Sequence, residues 1–295
     1  MNDGNAYGGR RRRGASVGRM MRGRSRMGCT TRIVIAVAII GFAYVKMRMS
    51  SYEEVNPYTG EAQRIMLSPK EEHALGLQSV SQMEAQHGGQ SRDDRAQAMV
   101  DAVGMKLAQH TGKLVREGRQ PIDYQFEFHL LADANLVNAF ALPGGQIFLT
   151  EALYDQFENE DQLAGVLGHE IGHVIARHSN EQMTKNGFLQ GIGTAAGVLA
   201  GGDDLYSTQQ VSGFVSQVLT TKYGRSDELE SDEIGAVLMY HAGYDPREIL
   251  GVMEILKKAG GGGGQIEMLS THPLPESRIE RLKNEVLPAL GVPVE

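Results

Sequence analysis

His169, Glu170 and His173 stand within five consecutive residues, His169-Glu170-Ile171-Gly172-His173, and that spacing specifies a chemistry. On a helix the two histidines lie one turn apart on one face, so both imidazoles reach a single metal ion. Glu170 sits about 100° further round, where its carboxylate reaches a water at that metal without itself being a ligand. Two neutral nitrogen ligands, an open coordination position and an adjacent base are what zinc-assisted hydrolysis of an amide requires. Two histidines leave such a metal short of a ligand. The downstream stretch Gly191-Ile192-Gly193-Thr194-Ala195-Ala196-Gly197 holds no carboxylate, and Ala176 and Ser179 replace the glycine and third histidine of another common continuation. His178, five residues past His173, points well away from the ligand face. The next dense group of acids is Asp227-Glu228-Leu229-Glu230-Ser231-Asp232-Glu233. Glu228 and Asp232 share one helical face, so one could ligate while the other orients a histidine. Glu230 points about 200° away from Glu228. Spacing alone does not choose the ligand.

The elements that must hold these groups are legible around them. Asn159-Glu160-Asp161-Gln162 is a helix start of the capping-box kind. Leu163, Val166, Leu167, Ile171, Val174 and Ile175 then recur at helical spacing and give the helix an apolar flank. Gly168 and Gly172 each disfavour a helix by about 1 kcal/mol relative to alanine, which makes sense if another group approaches that surface closely. Ser68-Pro69-Lys70-Glu71-Glu72 opens a further helix. One more covers about 91–111, with Ala98, Met99, Ala102, Val103, Met105 and Leu107 on its apolar side. Tyr124 to Leu131 alternates as a strand, as does Gly145-Gln146-Ile147-Phe148-Leu149 after a Pro-Gly-Gly turn. His129 reads as sheet surface, and His73, His87, His110 and His241 lack ligand-like spacing. Residues 187–202 are too short and glycine-rich for a second membrane span and suit a helix near the cleft. Gly260–Gly264 reads as a flexible linker.

Charge divides the chain. Residues 1–50 hold eleven of the 29 basic residues and only Asp3 among the 36 acidic ones. The arginines precede the apolar run Ile33–Val45, so they read as a cytoplasmic flank that sets membrane orientation rather than a nucleic-acid arm. The organisation expected is a basic cytoplasmic arm (1–32), a membrane anchor or signal segment (33–49), a linker (50–68) and a metallopeptidase domain (69–295). A single cysteine, Cys29, excludes an intrachain disulfide.

Four stretches in fixed order carry a family likeness: Asn138-Ala139-Phe140-Ala141-Leu142-Pro143-Gly144-Gly145, the His169–His173 string, Glu228-Leu229-Glu230-Ser231-Asp232, and Thr271-His272-Pro273-Leu274-Pro275-Glu276-Ser277-Arg278-Ile279. Together they resemble the zinc metallopeptidases that include the CAAX prenyl proteases and HtpX, in particular their periplasmic BepA/LoiP-type branch. The resemblance implies an α+β, mainly helical zincin-type domain, with a small β-sheet whose edge strand borders the active-site cleft. It implies one zinc ion per chain held by His169, His173 and Glu228, with Glu170 catalytic and Asp232 as supporting acid. His272 and Arg278 are similar to a His-Pro…Arg element near the family's site. There the histidine contacts the metal, stabilises the oxyanion or acts as a regulatory fourth ligand. Asn138 and Gly145 are implied on the edge strand that pairs with extended substrate, with Arg278 also on the substrate side. The function implied is a membrane-anchored metalloendopeptidase clearing unfolded or misfolded envelope proteins. It would sit in a bacterial inner membrane with its N-terminus cytoplasmic and its catalytic domain periplasmic, or be exported after signal cleavage. The alternatives are a zinc hydrolase of small amides and a chaperone-like or autoinhibited zinc-binding module capped by His272.

Overall fold

The helix that carries the His-Glu string, α5 (Glu160–Ile175), starts where its cap places it. In the computed structural model, which describes residues 29–186, 222–261, 265–273 and 276–294, Asn159 Oδ1 accepts the Gln162 amide at 2.9 Å. Gln162 closes the cap from the other side, its Oε1 accepting the Glu158 amide at 2.8 Å. From Gln162 onward every residue of α5 is buried. Such a helix has no solvent face, so it must be surrounded by other elements on all sides.

One of them approaches at backbone contact. Helix α7 (Arg225–Ala242), the next described helix after α6, which is described over residues 178–186, lies against the glycines of α5. A methyl group at Gly168 would sit 3.2 Å from Gly235 Cα, and one at Gly172 would sit 3.0 Å from Ser231 Cα. Reciprocally, a methyl at Gly235 would lie 3.0 Å from the His169 amide nitrogen. This is the close approach that the glycine spacing predicts, and it brings the acidic string of α7 beside the histidines of α5.

Helices α3 (Asp94–Ala108) and α8 (Glu248–Gly261) also pack on α5. The buried face of α3 is Ala96, Val100, Val103 and Leu107. Ala98, Ala102 and Met105, expected on the apolar side, are exposed. The correction follows from Gly104, over which the Phe128 ring lies so closely that an added Cβ would clash at 2.5 Å. That contact turns the 96–100–103–107 stripe inward. Val100, Val103 and Leu107 then share one core with Phe128, Leu130, Ile147, Leu149, Leu163 and Ile171.

The main sheet has three strands, β3 (Glu127–Leu131), β5 (Ala139–Ala141) and β6 (Gln146–Thr150), in the order β3-β6-β5. Strand β6 is parallel to β3 and antiparallel to β5, and all five of its residues are buried. The run from Gly145 to Leu149 is therefore the centre of the sheet and not its edge. Buried on both faces and paired on both sides, it has no free ladder for a substrate. The edge beside α5 is β5. The preceding strand β4 (Leu136–Val137) pairs in parallel with β7 (Gln265–Ile266).

Residues 50–68, read as a linker, hold a hairpin of β1 (Tyr52–Val55) and β2 (Ala62–Ile65) that belongs to the folded body. Asn56 Nδ2 donates to Ile175 O at 2.8 Å and Gln63 Nε2 to Ala176 O at 2.6 Å. These buried amides satisfy carbonyls that the end of α5 leaves without helical partners. Helix α2 (Pro69–Gln86) then opens at Ser68 with Pro69 in its first turn, as the sequence predicts, and Glu71 closes a capping box with Ser68.

Helix α1 (Cys29–Ser50) is longer than its apolar run. Twenty-two residues at about 1.5 Å rise make a rod of roughly 33 Å, against a hydrocarbon core of about 30 Å. Among the described residues, 33–50 is the one stretch long and apolar enough to cross a membrane, by length and composition. The arm over 1–28, the helix expected over 187–202 and the glycines 262–264 lie outside the described residues; Gly260 and Gly261 still belong to α8.

Candidate metal centre

Helix α5 presents His169 and His173 on one face, and their Nε2 atoms lie 3.0 Å apart. From α7, Glu228 places Oε2 3.6 Å from His169 Nε2 and Oε1 3.5 Å from His173 Nε2. His272, just past the short helix α9 (Met268–Thr271), brings Nδ1 to 3.4 Å from His169 Nε2 and 3.0 Å from Glu228 Oε1. One donor atom from each of these four buried residues falls within 4.8 Å of every other. Three nitrogens and a carboxylate oxygen, mutually this close, fit a tetrahedral zinc site. His73, His87, His110, His129 and His241 stand outside the cluster, as their spacing predicts.

The choice left open between the two α7 acids is made by what each touches. Glu228 faces both α5 imidazoles, whereas Asp232 Oδ1 lies 2.9 Å from the rear nitrogen of His169, Nδ1. A carboxylate there fixes the ring with Nδ1 as donor and leaves Nε2 free to ligate. Asp232 is held in turn by Arg278, on helix α10 (Glu276–Arg281), with Nε to Oδ2 at 2.7 Å and Nη2 to Oδ1 at 2.6 Å. The remaining Arg278 nitrogen, Nη1, meets Glu228 Oε2 at 2.6 Å and Pro273 O at 3.1 Å. All three guanidinium nitrogens are engaged, so Arg278 braces the acids instead of facing substrate.

Burial and charge separate the acids of the site. Burial pushes the Glu170 carboxyl above its ordinary value, and neither of its oxygens has a hydrogen-bond partner among the described residues. The nearest ring nitrogen to reach it is His272 Nε2, 3.8 Å from Oε1. For Glu228 burial acts in the same direction, but the imidazoles of His272, His173 and His169 overcome it and hold the group well below the usual carboxylate range. Asp232 is likewise lowered against burial, by Arg278. Burial keeps His173 neutral, pushing its pKa well down. One carboxyl is thus poised as a base and two are held as anions, the division that acid–base chemistry at a metal needs.

One expectation changes and another holds. Gly145 belongs to the turn into β6 at φ 112. Its carbonyl accepts the Glu127 amide at 3.1 Å and its amide reaches Leu142 O at 3.4 Å, so neither group is left for a substrate. Asn138 does sit at the β4–β5 junction of the edge, buried, with its backbone bonded to Thr150 and its Oδ1 without a partner among the described residues. Two residues at the site had no motif to announce them. Tyr223 stacks on His173 with ring centroids 4.0 Å apart and bonds Ser179 Oγ at 2.8 Å. His178, although outside the ligand cluster, meets the back of His173.

Comparison with known proteins agrees with this architecture. A family model described as peptidase family M48 matches residues 91–286. The chain is 35% identical over 172 residues to the mitochondrial metalloendopeptidase OMA1 of Schizosaccharomyces pombe, covering 58% of this chain and 49% of that one. It is 30% identical over 195 residues to the beta-barrel assembly-enhancing protease of Escherichia coli K12, 63% of this chain and 38% of the relative. A third relative, the metalloprotease YcaL of the same strain, is 27% identical over 166 residues, 56% of this chain and 63% of that one. The chain spans about half or less of the length of the first two.

Proposed function

Because this chain belongs to peptidase family M48, we propose that it is a zinc-dependent endopeptidase, tethered to a membrane by α1 and acting on unfolded or misfolded proteins. The observation that carries the reading is the four-donor cluster beside an unpartnered, buried Glu170. His169, His173 and Glu228 would hold the metal, one ion per chain. When bound, zinc supplies Lewis-acid polarisation of a carbonyl and makes nearby water more acidic. Glu170 takes a proton from the attacking water as the new C–O bond forms, and delivers it to the amine as the C–N bond breaks. Burial suits it to both roles, since a raised pKa brings a carboxylate closer to the operating pH. Asp232, braced by Arg278, keeps the His169 ring in place. The edge at β5 offers an extended substrate a strand to pair with, beside the Asn138 Oδ1 that has no partner among the described residues, which favours peptides of many sequences over one small amide.

Helix α1 and the relatives together support a membrane or envelope setting. On the reading proposed here, the basic N-terminal flank of a single span faces the cytoplasm and the acidic catalytic domain faces a bacterial periplasm. One relative named for beta-barrel assembly supports a role in envelope protein quality control.

The deciding experiment compares the detergent-solubilised full chain with Glu170→Gln for bound zinc and for cleavage of unfolded casein. About one zinc per chain in both, with turnover in the variant down by about 10²–10⁴-fold, is the expected result. A wild-type chain without metal, or a variant that still cleaves, refutes the reading.

A second reading has its own observation. His272 Nδ1 stands where a fourth ligand would, 3.0 Å from Glu228, which favours a resting state closed by that side chain. His272→Ala raises casein cleavage if the histidine caps the metal, and lowers it if the histidine stabilises the transition state.

A further inference from the structure

The two imidazoles that face the centre are backed differently. His169 has a carboxylate directly behind it, Asp232. Behind His173, 2.8 Å from its Nδ1, stands Nδ1 of His178, and both rings are buried. The far nitrogen of His178, Nε2, lies 2.9 Å from Glu230 Oε2. The Glu230 side chain is 23% exposed and borders a cleft lined also by Lys113, Arg116 and Glu233.

We propose that His178 and Glu230 are a positioning pair that fixes the tautomer and ring plane of His173 and thereby sets the metal affinity of the centre. The inference rests on the zinc site proposed above.

Hydrogen counting carries the argument. Two ring nitrogens 2.8 Å apart share one hydrogen. A carboxylate only accepts, so the hydrogen of His178 sits on Nε2, towards Glu230. In the neutral ring Nδ1 of His178 is then a lone pair. The shared hydrogen must therefore belong to His173 Nδ1, which leaves the His173 Nε2 lone pair aimed at His169 and Glu228. Ser231 Oγ lies 3.4 Å from the same His178 Nδ1, a longer contact than the 2.8 Å of His173 Nδ1. Reversing the arrangement would place a hydrogen on His173 Nε2 and remove that nitrogen as a ligand. The stacked Tyr223 ring holds the His173 face, so the Nδ1 contact is left to fix rotation within the ring plane.

His178 can reach this place because the chain reverses just before it. Helix α5 stops at Ile175, and Arg177 adopts φ 61, a left-handed conformation uncommon outside glycine. The strain is offset by bonds from the Arg177 guanidinium to Glu72 Oε1 at 3.1 Å, Glu54 Oε2 at 3.0 Å and Leu67 O at 2.6 Å.

The test measures zinc affinity of the full chain in detergent by competition with a chromophoric chelator, alongside the visible spectrum of the cobalt-substituted protein. His178→Phe is expected to weaken zinc binding by about 10- to 100-fold and shift the cobalt bands. His178→Asn, whose amide oxygen accepts in place of Nδ1, should bind within a few-fold of wild type. Glu230→Ala should weaken binding in the same direction without changing the thermal midpoint of the metal-free protein. A purely structural role predicts lowered midpoints with affinity unchanged, and that pattern overturns the proposal. Should His178→Phe not fold, Glu230→Ala decides: unaltered affinity overturns the pair, weakened affinity supports it. A wild-type chain that binds no zinc refutes the centre itself, whereas normal wild-type binding with unaffected variants refutes only the pair.

Discussion

Arg278 and Glu228 meet at 2.6 Å, Nη1 to Oε2, while the rest of the same guanidinium grips Asp232. One buried cation therefore balances two buried anions, the one facing the metal site and the one behind His169. Arg278→Met leaves both acids without it. Breaking a buried ion pair from one side costs about 3–5 kcal/mol, so urea unfolding of the metal-free variant should show a loss of that order. Arg278→Lys should recover little, because an ammonium lacks the planar fork that spans both acids. A loss below about 1 kcal/mol would show that the brace contributes no more than a surface pair does.

Glu170 should be a destabilising residue in the metal-free protein. Burial raises its carboxyl above the ordinary 4.5. Below that value the group is protonated in folded and unfolded chains alike, and no penalty arises. As pH climbs past it the unfolded chain ionises first, so stability falls until the folded-state value is passed. Metal-free Glu170→Gln should therefore melt higher than wild type at pH 7, with the gap closing as pH falls towards 4. Asp232 runs the other way. Its folded-state value is lowered from 3.8, so its contribution is present above that pH and is lost on acidification. Equal midpoints for Glu170→Gln and wild type across this range would contradict the burial argument.

Two glycines on one helix should respond oppositely to alanine. At Gly172 an added methyl meets the Ser231 backbone at 3.0 Å. Overpacking of about 1–3 kcal/mol outweighs a helix-propensity gain of about 1 kcal/mol. The two helices are pushed apart, and zinc affinity should drop with stability. At Gly165 the same methyl meets Ile249 and Val252 at 3.4–3.5 Å, ordinary van der Waals contact, so Gly165→Ala should be neutral or stabilising. Denaturant midpoints and chelator competition on both variants check the contrast, which fails if the two move together.

Truncation should separate the anchor from the hairpin. Removing residues 1–49 leaves the bonds of Asn56 and Gln63 to the end of α5 intact, and the thermal midpoint should hold. Removing residues 1–66 orphans those buried carbonyls, at about 1–3 kcal/mol each, and takes Glu54 from Arg177. The midpoint should fall sharply, although the family match begins only at residue 91. Similar midpoints for the two truncations would show that the hairpin is dispensable.

What the sequence made legible was periodic or local. The cap at Asn159, the helix start at Ser68 and Pro69, the facing pair His169 and His173, and the meaning of Gly168 and Gly172 all depend on neighbours within a turn or two of helix. The assignment of β6 to an edge failed because alternation reports burial only when one face is wet, and both faces of this strand are dry. His178 was misread for a different reason. Projecting it away from His173 assumed that the helix continues, and one left-handed residue, Arg177, folds the chain back instead. The hairpin was hidden by its composition: Tyr52-Glu53-Glu54-Val55 is short and charged, and the amides of Asn56 and Gln63 that bind it to α5 find their carbonyl partners over a hundred residues away. Tyr223 enters through tertiary contacts, its stacking on His173 and its bond to Ser179.

Where α5 and α7 touch, no layer of side chains lies between them. The interval separating the two histidines from their glutamate is consequently written in main-chain atoms, which neither compress nor change identity from one homologue to the next. Leucines and isoleucines elsewhere in the interior can drift over evolutionary time without retuning the bite of the site, so long as that bare seam keeps its glycines.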